Sequence, residues 1–238
     1  MSDEIFSIVA RGAKKMNISL PPTAEAAFRA YYDFLEKRGQ NVNLTAISGA
    51  EEVVRLHFLD SIALLNATSF KAAKVIDVGS GAGFPGIPLK IVEPTIYLTL
   101  LDATGKKVSF LSDLCTELSV EAICVNARAE EAAYLPNMRE LYDIAVARAV
   151  ARLNMLCELC LPFVRVGGYF IAMKSLETDE EIKEAKNAIT TLGAEIKEHY
   201  DYTIPITDVT HRAVIIYKTK ETPKKYPRRF ARMQKKPL

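Results

Sequence analysis

Over the first 70 residues of this 238-residue chain, apolar side chains recur three and four positions apart, the spacing of one face of a helix. Thr23 is placed to cap a helix that turns Ala26, Phe28, Tyr31 and Leu35 to one side and stops at Gly39. A second helix follows Ser48, with Val53, Leu56, Leu59, Ile62, Ala63 and Leu65 on one stripe, and the mixed stretch 41–47 between them reads as a loop. From Lys74 the pattern changes. Short apolar runs at 74–78, 96–102, 121–125, 142–147, 166–173, 195–203 and 211–218 predict strands, and amphipathic stretches at 86–92, 105–118, 130–134, 151–163 and 178–192 predict helices. This alternation predicts an α/β fold with a mostly parallel seven-stranded sheet covered on both faces. Little more than residues 205–208 separates the last two strands, so they are expected to form an antiparallel hairpin. The chain thus divides into an N-terminal helical extension (1–70), a sheet domain (71–218) and a C-terminal tail (219–238).

Composition leaves the class unchanged. Hydrophobic residues make up 49% and charged residues 25%, as in ordinary soluble proteins. No apolar run is long enough to span a membrane and the N-terminus lacks a signal-peptide pattern, so a cytoplasmic protein is expected. Cys157 and Cys160 form a C-x-x-C, but zinc needs a second pair at matching spacing, and the apolar neighbours Leu153, Leu156, Leu161 and Phe163 indicate a buried helix instead. No metal is expected, and all four cysteines are expected to be reduced.

Charge adds one feature. Residues 218–238 carry nine Lys or Arg and one acid, whereas the rest carries 22 bases and 28 acids. A basic tail on an acidic body points to a polyanionic partner. Tyr226 and Phe230 among the arginines offer stacking surfaces as well as charge, as RNA contacts need. The alternative is a solvated, disordered terminus.

The chemistry concentrates in Val75–Leu89, VIDVGSGAGFPGIPL. Here a buried strand ends in an acid, Asp77, and breaks into Gly79, Gly81, Gly83 and Gly86. Such a loop lets a ligand approach the backbone closely, and its place at the carboxyl end of a strand is where α/β proteins hold nucleotide-like ligands. Residues 81–86 fit the dinucleotide pattern G-x-G-x-x-G, but the match starts two residues late. Pro85 and Pro88 also stiffen the helix start where a pyrophosphate would seek free N–H groups. S-adenosylmethionine fits better. It has no pyrophosphate; its ammonium and carboxylate suit an acid and a tight glycine turn. Its ribose diol suits Asp102 at the end of the second strand, and its adenine suits the apolar and polar residues 126–130 after the third. The predicted C-terminal hairpin also belongs to methyltransferase sheets and not to dinucleotide folds.

Together with NLTAI at 43–47, HFLDS at 57–61, ARAVA at 147–151 and YPRR at 226–229, the glycine segment is similar to the RsmG (GidB) family over nearly the whole chain. The resemblance implies a Rossmann-like class I S-adenosylmethionine-dependent methyltransferase that modifies N7 of a guanosine in 16S ribosomal RNA, guanosine-527 being the family target. It places donor-site residues on Gly79, Phe84, Ala129, Glu130 and Arg148. Two departures stand out: Leu-Asp-Ala-Thr-Gly-Lys-Lys after the second strand, and Phe230-Ala231-Arg232-Met233 where the family more often has a turn containing Ala-Gly.

The chemistry of that reaction agrees with the residues. Guanine N7 has a free lone pair at neutral pH, so transfer needs alignment and charge stabilisation but no general base. The sequence lacks Pro-Cys and Asp/Asn-Pro-Pro-Tyr/Phe, the signatures of C5 and exocyclic-amine methylation. Arg148, at the end of the fourth strand, is expected between donor and acceptor as a positioning residue. Asp77, Gly79, Gly81, Gly83, Phe84, Asp102, Ala129 and Glu130 complete the expected donor site, with S-adenosylhomocysteine as product. His57, Asp60 and Ser61 share a helix face; they either line the acceptor side or pack the extension onto the core. Asn43 and Thr45 are loop residues near the donor pocket or simple turn formers. Lys174, Arg212, Arg228, Arg229, Lys235 and Lys236 are expected to contact RNA. The expected partner is 16S ribosomal RNA, free, in the small ribosomal subunit or in an assembly intermediate, and the protein is expected to be monomeric. A non-catalytic RNA-binding protein on the same fold would show an eroded glycine loop, and this one is intact.

Overall fold

A computed structural model describes residues 2–38 and 49–238. The loop at 41–47 with Asn43 and Thr45, the stop at Gly39 and the cap at Ser48 lie outside those residues. Among the described residues, seven strands form one sheet: β1 (Lys74–Val78), β2 (Tyr97–Asp102), β3 (Ala122–Asn126), β4 (Tyr142–Arg148), β5 (Val164–Ser175), β6 (Ala194–Thr203) and β7 (Thr210–Lys218). Their order is β3-β2-β1-β4-β5-β7-β6. The first five run parallel, and β7 inserts antiparallel between β5 and β6. The reason is the short connection after β6, which leaves room for a hairpin and none for a crossover. The expected mostly parallel seven-stranded sheet with a C-terminal hairpin is therefore the observed one. Central strands β1 and β2 are buried along nearly their whole length, whereas edge strand β6 alternates and carries Glu195, Lys197, Glu198 and Asp201, charges that discourage pairing with another chain.

Two apolar layers cover the sheet. On one face lie α1 (Ser2–Lys15), α2 (Ala24–Arg38), α5 (Gly86–Val92) and α6 (Gly105–Glu117), with Phe28, Tyr31, Ile87 and Leu111 in the core. The same layer takes a helical run made of α3 (Ala50–Val53), a π-helical segment Val54–Leu59, α4 (Asp60–Ile62) and a 3-10 turn Ala63–Asn66. On the other face lie α7 (Ala129–Ala132), α8 (Leu153–Cys160) and α9 (Asp179–Thr191). The single helix expected over 151–163 becomes α8 followed by a 3-10 turn, Leu161–Phe163, which contains Pro162. Cys157 and Cys160 are fully buried in this layer.

The C-terminal tail packs against the second face. Tyr226 and Met233 belong to its core, and residues Phe230–Lys235 form a short helix, α10. Two of the nine basic residues of 218–238 are spent inside the protein. Lys218 is fully buried, its Nζ donating to Leu161 O at 2.8 Å and Thr222 Oγ1 at 2.5 Å, with Glu140 at 3.1 Å. Arg228 grips Glu158, itself 1% exposed, through Nη2 at 2.6 Å, Nε at 2.8 Å and its backbone N–H at 2.7 Å. A buried carboxylate demands such a partner, because an unpaired charge in the core would cost several kcal/mol. Tail order thus follows from Glu158 on α8, far away in sequence.

Candidate donor and acceptor cleft

The carboxyl ends of β1, β2 and β4 open into two adjoining cavities that share Gly79, Lys107, Arg148 and Ala149. The smaller, about 320 Å³, reaches Asp102, Ala129 and Glu130; the larger, about 760 Å³, reaches His57, Phe84 and Lys174. Both lie in the size range of small-molecule sites.

The glycine loop forms their common floor. Gly79 and Ser80 donate their N–H groups to Leu101 O at 2.8 and 3.1 Å, which ties the loop to β2. Gly79 has φ +76°, and a Cβ there would come within 2.6 Å of Val150 Cγ2. Gly81, φ +58°, would have a Cβ touching nothing nearer than Gly79 O at 3.9 Å, so a ligand can approach its backbone. Its N–H donates to Asp102 Oδ2 at 3.1 Å, while Thr104 N–H donates to Asp102 Oδ1 at 2.9 Å. Asp102 keeps further lone pairs on both oxygens and borders the smaller cavity, as a partner for a diol requires.

Two expected donor residues do not reach the cavities. Asp77 is fully buried; its Oδ2 accepts the Gly86 N–H at 2.8 Å, and its Oδ1 lacks a hydrogen-bond partner among the described residues. Burial pushes its carboxyl up to about 7, opposed by the Gly86 hydrogen bond and the Arg148 charge. The expectation that Asp77 meets the donor's ammonium is corrected, because its carboxylate points inward and secures the start of α5. That contact also tells against a dinucleotide, since the N–H a pyrophosphate would use is already taken. Gly83 likewise faces away: a Cβ there would meet Ile87 and the Tyr31 hydroxyl at 2.6–2.7 Å. Tyr31 instead fixes the loop by donating to Ala82 O at 2.7 Å.

The larger cavity is built from side chains of distant elements. Arg148, at the end of β4, donates Nη1 to Asp60 Oδ2 and Leu56 O, both at 3.1 Å, and Nη2 to His57 Nδ1 at 2.9 Å. Its guanidinium lies 5.1 Å from the Phe84 ring centre, and His57 stacks on the same ring at 4.6 Å. Asp60, fully buried, also accepts from Tyr202 Oη and His211 Nδ1, each at 2.8 Å. Burial alone would raise the Asp60 pKa, but His211, Arg148 and Tyr202 pull it below its usual value. His57 is pushed down to about 4, first by burial and then by the Arg148 charge. Because Arg148 can only donate, His57 Nδ1 accepts, and its proton sits on Nε2, which is buried with no partner among the described residues. Of the two options for His57 and Asp60, the geometry supports both at once: they border the cavity and bind the extension to the sheet. Ser61 stays outside this network and donates to His57 O at 2.5 Å.

Three of the residues expected to contact RNA are also engaged by the protein. Lys174 Nζ binds Glu181 at 2.7 Å and Ala151 O at 2.9 Å. Arg212 is held by Asp201 and Asp179 at 2.5–2.8 Å, and Arg228 by Glu158. Arg229, Lys235 and Lys236 are exposed. Residues not anticipated also border the site: Lys107, Ala149 and Phe230. Ala149 adopts φ +56°, a left-handed conformation in which a residue with a Cβ is uncommon. Lys107 follows Asp102 by five residues at the first turn of α6, a spacing that could have marked it.

The profile of the GidB family, described as rRNA small subunit methyltransferase G, matches residues 24–205. The chain belongs to this family. It is 44% identical over 237 residues to ribosomal RNA small subunit methyltransferase G of Alkaliphilus oremlandii (strain OhILAs), covering 99% of both chains. It is 45% identical over 240 residues to the protein of the same name from Caldanaerobacter subterraneus subsp. tengcongensis, covering 100% of both. Among solved structures, TYW2 of M. jannaschii in complex with AdoMet superposes with a TM-score of 0.53 at 13% identity, over 67% of this chain and 76% of that one. At that identity the likeness concerns the fold, the class I methyltransferase sheet.

Proposed function

We propose that the protein transfers a methyl group from S-adenosylmethionine to N7 of a guanosine in 16S ribosomal RNA, guanosine-527 by the family's specificity. The observation that carries this is the membership of the family together with a cleft in which a backbone cradle, Gly79–Gly81 with Asp102, adjoins a cationic mouth, Arg148. The donor fits the residues present: the uncrowded Gly81 backbone admits close approach, Asp102 has lone pairs for a diol, and the smaller cavity offers apolar Ala129 beside polar Glu130. S-adenosylmethionine supplies an activated methyl group on a sulfonium. The chain's own residues bind, orient and exclude water. Arg148, pinned by Asp60 and Leu56 O, cannot swing and keeps its charge at a fixed place in the cleft. His57, neutral at physiological pH, adds no charge beside it. No side chain has to take a proton, because N7 carries none. RNA phosphates are held by exposed cations of the tail, Arg229, Lys235 and Lys236 foremost.

Labelled donor incubated with 16S ribosomal RNA or small subunits lacking the modification, followed by mapping of the labelled base, tests the whole reading. Label on guanine N7 is expected; label on another base or atom overturns the specificity. Arg148→Lys retains the charge but not the fork that binds Asp60, Leu56 and His57 at once, and is expected to cut turnover at least tenfold with donor affinity less affected.

A further inference from the structure

The tail does more than carry charge to the body. Arg228 is clamped by Glu158, Tyr134 Oη donates to Pro227 O at 2.6 Å, and Met233 is fully buried. These anchors stand on both sides of Phe230, which is half-buried at the start of α10. It borders the smaller cavity together with Ala129, Glu130 and Leu159. Leu159 is the neighbour in sequence of Glu158, so one turn of α8 both shapes the cavity and ties down the segment that closes it. On its outer side Phe230 also borders a groove of about 930 Å³ that carries Arg128, Lys225, Arg229 and Arg232 beside the acids Glu130 and Glu131.

We propose that Phe230 is a donor-binding residue, the outer wall of the adenine end of the pocket, supplied by the C-terminal segment. The inference rests on the donor reading above and adds to it a residue from outside the β1–β4 half of the sheet. The physical basis is simple. An adenine is a flat, apolar-faced ring, and the other apolar side chains of the smaller cavity, Ala127, Ala129 and Leu159 among them, are small or aliphatic, with no second aromatic ring. An aromatic wall contributes contact area and ring–ring attraction beyond that. The consequence is that the tail contributes to donor affinity before any RNA is present.

Deleting the tail cannot test this cleanly, because it would leave Glu158 buried without Arg228. Calorimetric titration of the full-length protein with S-adenosylhomocysteine can, using Phe230→Ala, Phe230→Leu and Phe230→Tyr. The alanine variant is expected to bind about 3- to 10-fold more weakly, the leucine variant to stay weak because it packs but has no ring, and the tyrosine variant to bind as the wild type does. Wild-type affinity in both the alanine and leucine variants overturns the inference while leaving the donor reading intact. A wild-type protein that gives no heat with S-adenosylhomocysteine or S-adenosylmethionine overturns the donor reading itself, and Phe230's role with it. Should Phe230→Ala lower the melting temperature of the ligand-free protein, the comparison of leucine with tyrosine decides.

Discussion

The two ends of the cleft are built on different principles. The glycine end is a contiguous stretch of backbone, Gly79 to Gly86, whose hydrogen bonds run to the neighbouring strand and to two carboxylates close in sequence. The Arg148 end is assembled from side chains of the π-helical segment, β4, β6 and β7, which meet over gaps of 88 to 151 residues. The first tolerates little change of shape, and the second little change of charge. A ligand that needs close backbone contact suits the former; a charged acceptor suits the latter.

The largest effect should come from breaking the charge balance of the Arg148 end. Asp60→Ala leaves Arg148 without its anion and is expected to cost about 3–5 kcal/mol of stability. Urea unfolding measures this, and a drop smaller than about 1 kcal/mol would show the network to be ornamental.

Acid and base should separate the ends by sign. His57 has its pKa lowered from 6.5 to about 4, so its contribution to stability is full above pH 6.5 and is lost as pH falls toward 4. Asp77 has its pKa raised from 3.8 to about 7, so its contribution is full below pH 3.8 and is lost as pH rises toward 7. Each is worth about 3–4 kcal/mol, and in the wild type they offset each other over the same window. Asp77→Asn should therefore give a protein that gains stability from pH 4 to 6.5, and His57→Gln one that loses it from pH 4 to 7. Unfolding free energies measured across that range would contradict this if both variants ran parallel to the wild type.

A smaller effect is expected from shape at the glycine end. Gly79→Ala forces a left-handed φ on a residue with a Cβ and drives that Cβ against Val150, at a cost of about 1–3 kcal/mol. The cost should appear mainly as weaker donor binding in calorimetry, with a modest fall in melting temperature. The smallest effect concerns the exposed cations. Lys235→Ala with Lys236→Ala should lower the salt dependence of RNA binding by up to about one counterion for each phosphate the two side chains neutralise, with stability unchanged. An equal change from Arg212→Ala would show that its hold on Asp201 and Asp179 is loose.

Much of the fold was legible because it is written in short-range pattern. Every strand appeared within two residues of its expected ends, and α5 matched its expected range, since burial on both faces of a parallel sheet leaves continuous apolar runs. The glycine loop was legible for a similar reason: its backbone conformation needs particular residues in a row. What escaped was the state of individual charges. Asp77 and Asp102 look alike in sequence, each an acid closing a strand. The inward turn of one and the outward turn of the other depend on Gly86 and Gly81 offering N–H groups from different sides. Lys174, Arg212, Arg228 and Lys218 look like free cations until Glu181, Asp201, Glu158 and Glu140 are brought beside them.

The sequence by itself determined the order of elements, the hairpin that ends the sheet and the loop that can receive a nucleoside-like ligand. Each of these follows from hydrophobic period, connection length or backbone freedom, which are local properties. Only the tertiary structure decided which charges are paired and which are free, that His57, Asp60, Arg148, Tyr202 and His211 form one network, and that Phe230 returns to the wall of the pocket. Those outcomes depend on long-range pairing in a low-dielectric interior, where a buried charge takes whatever partner the packing of distant elements brings to it.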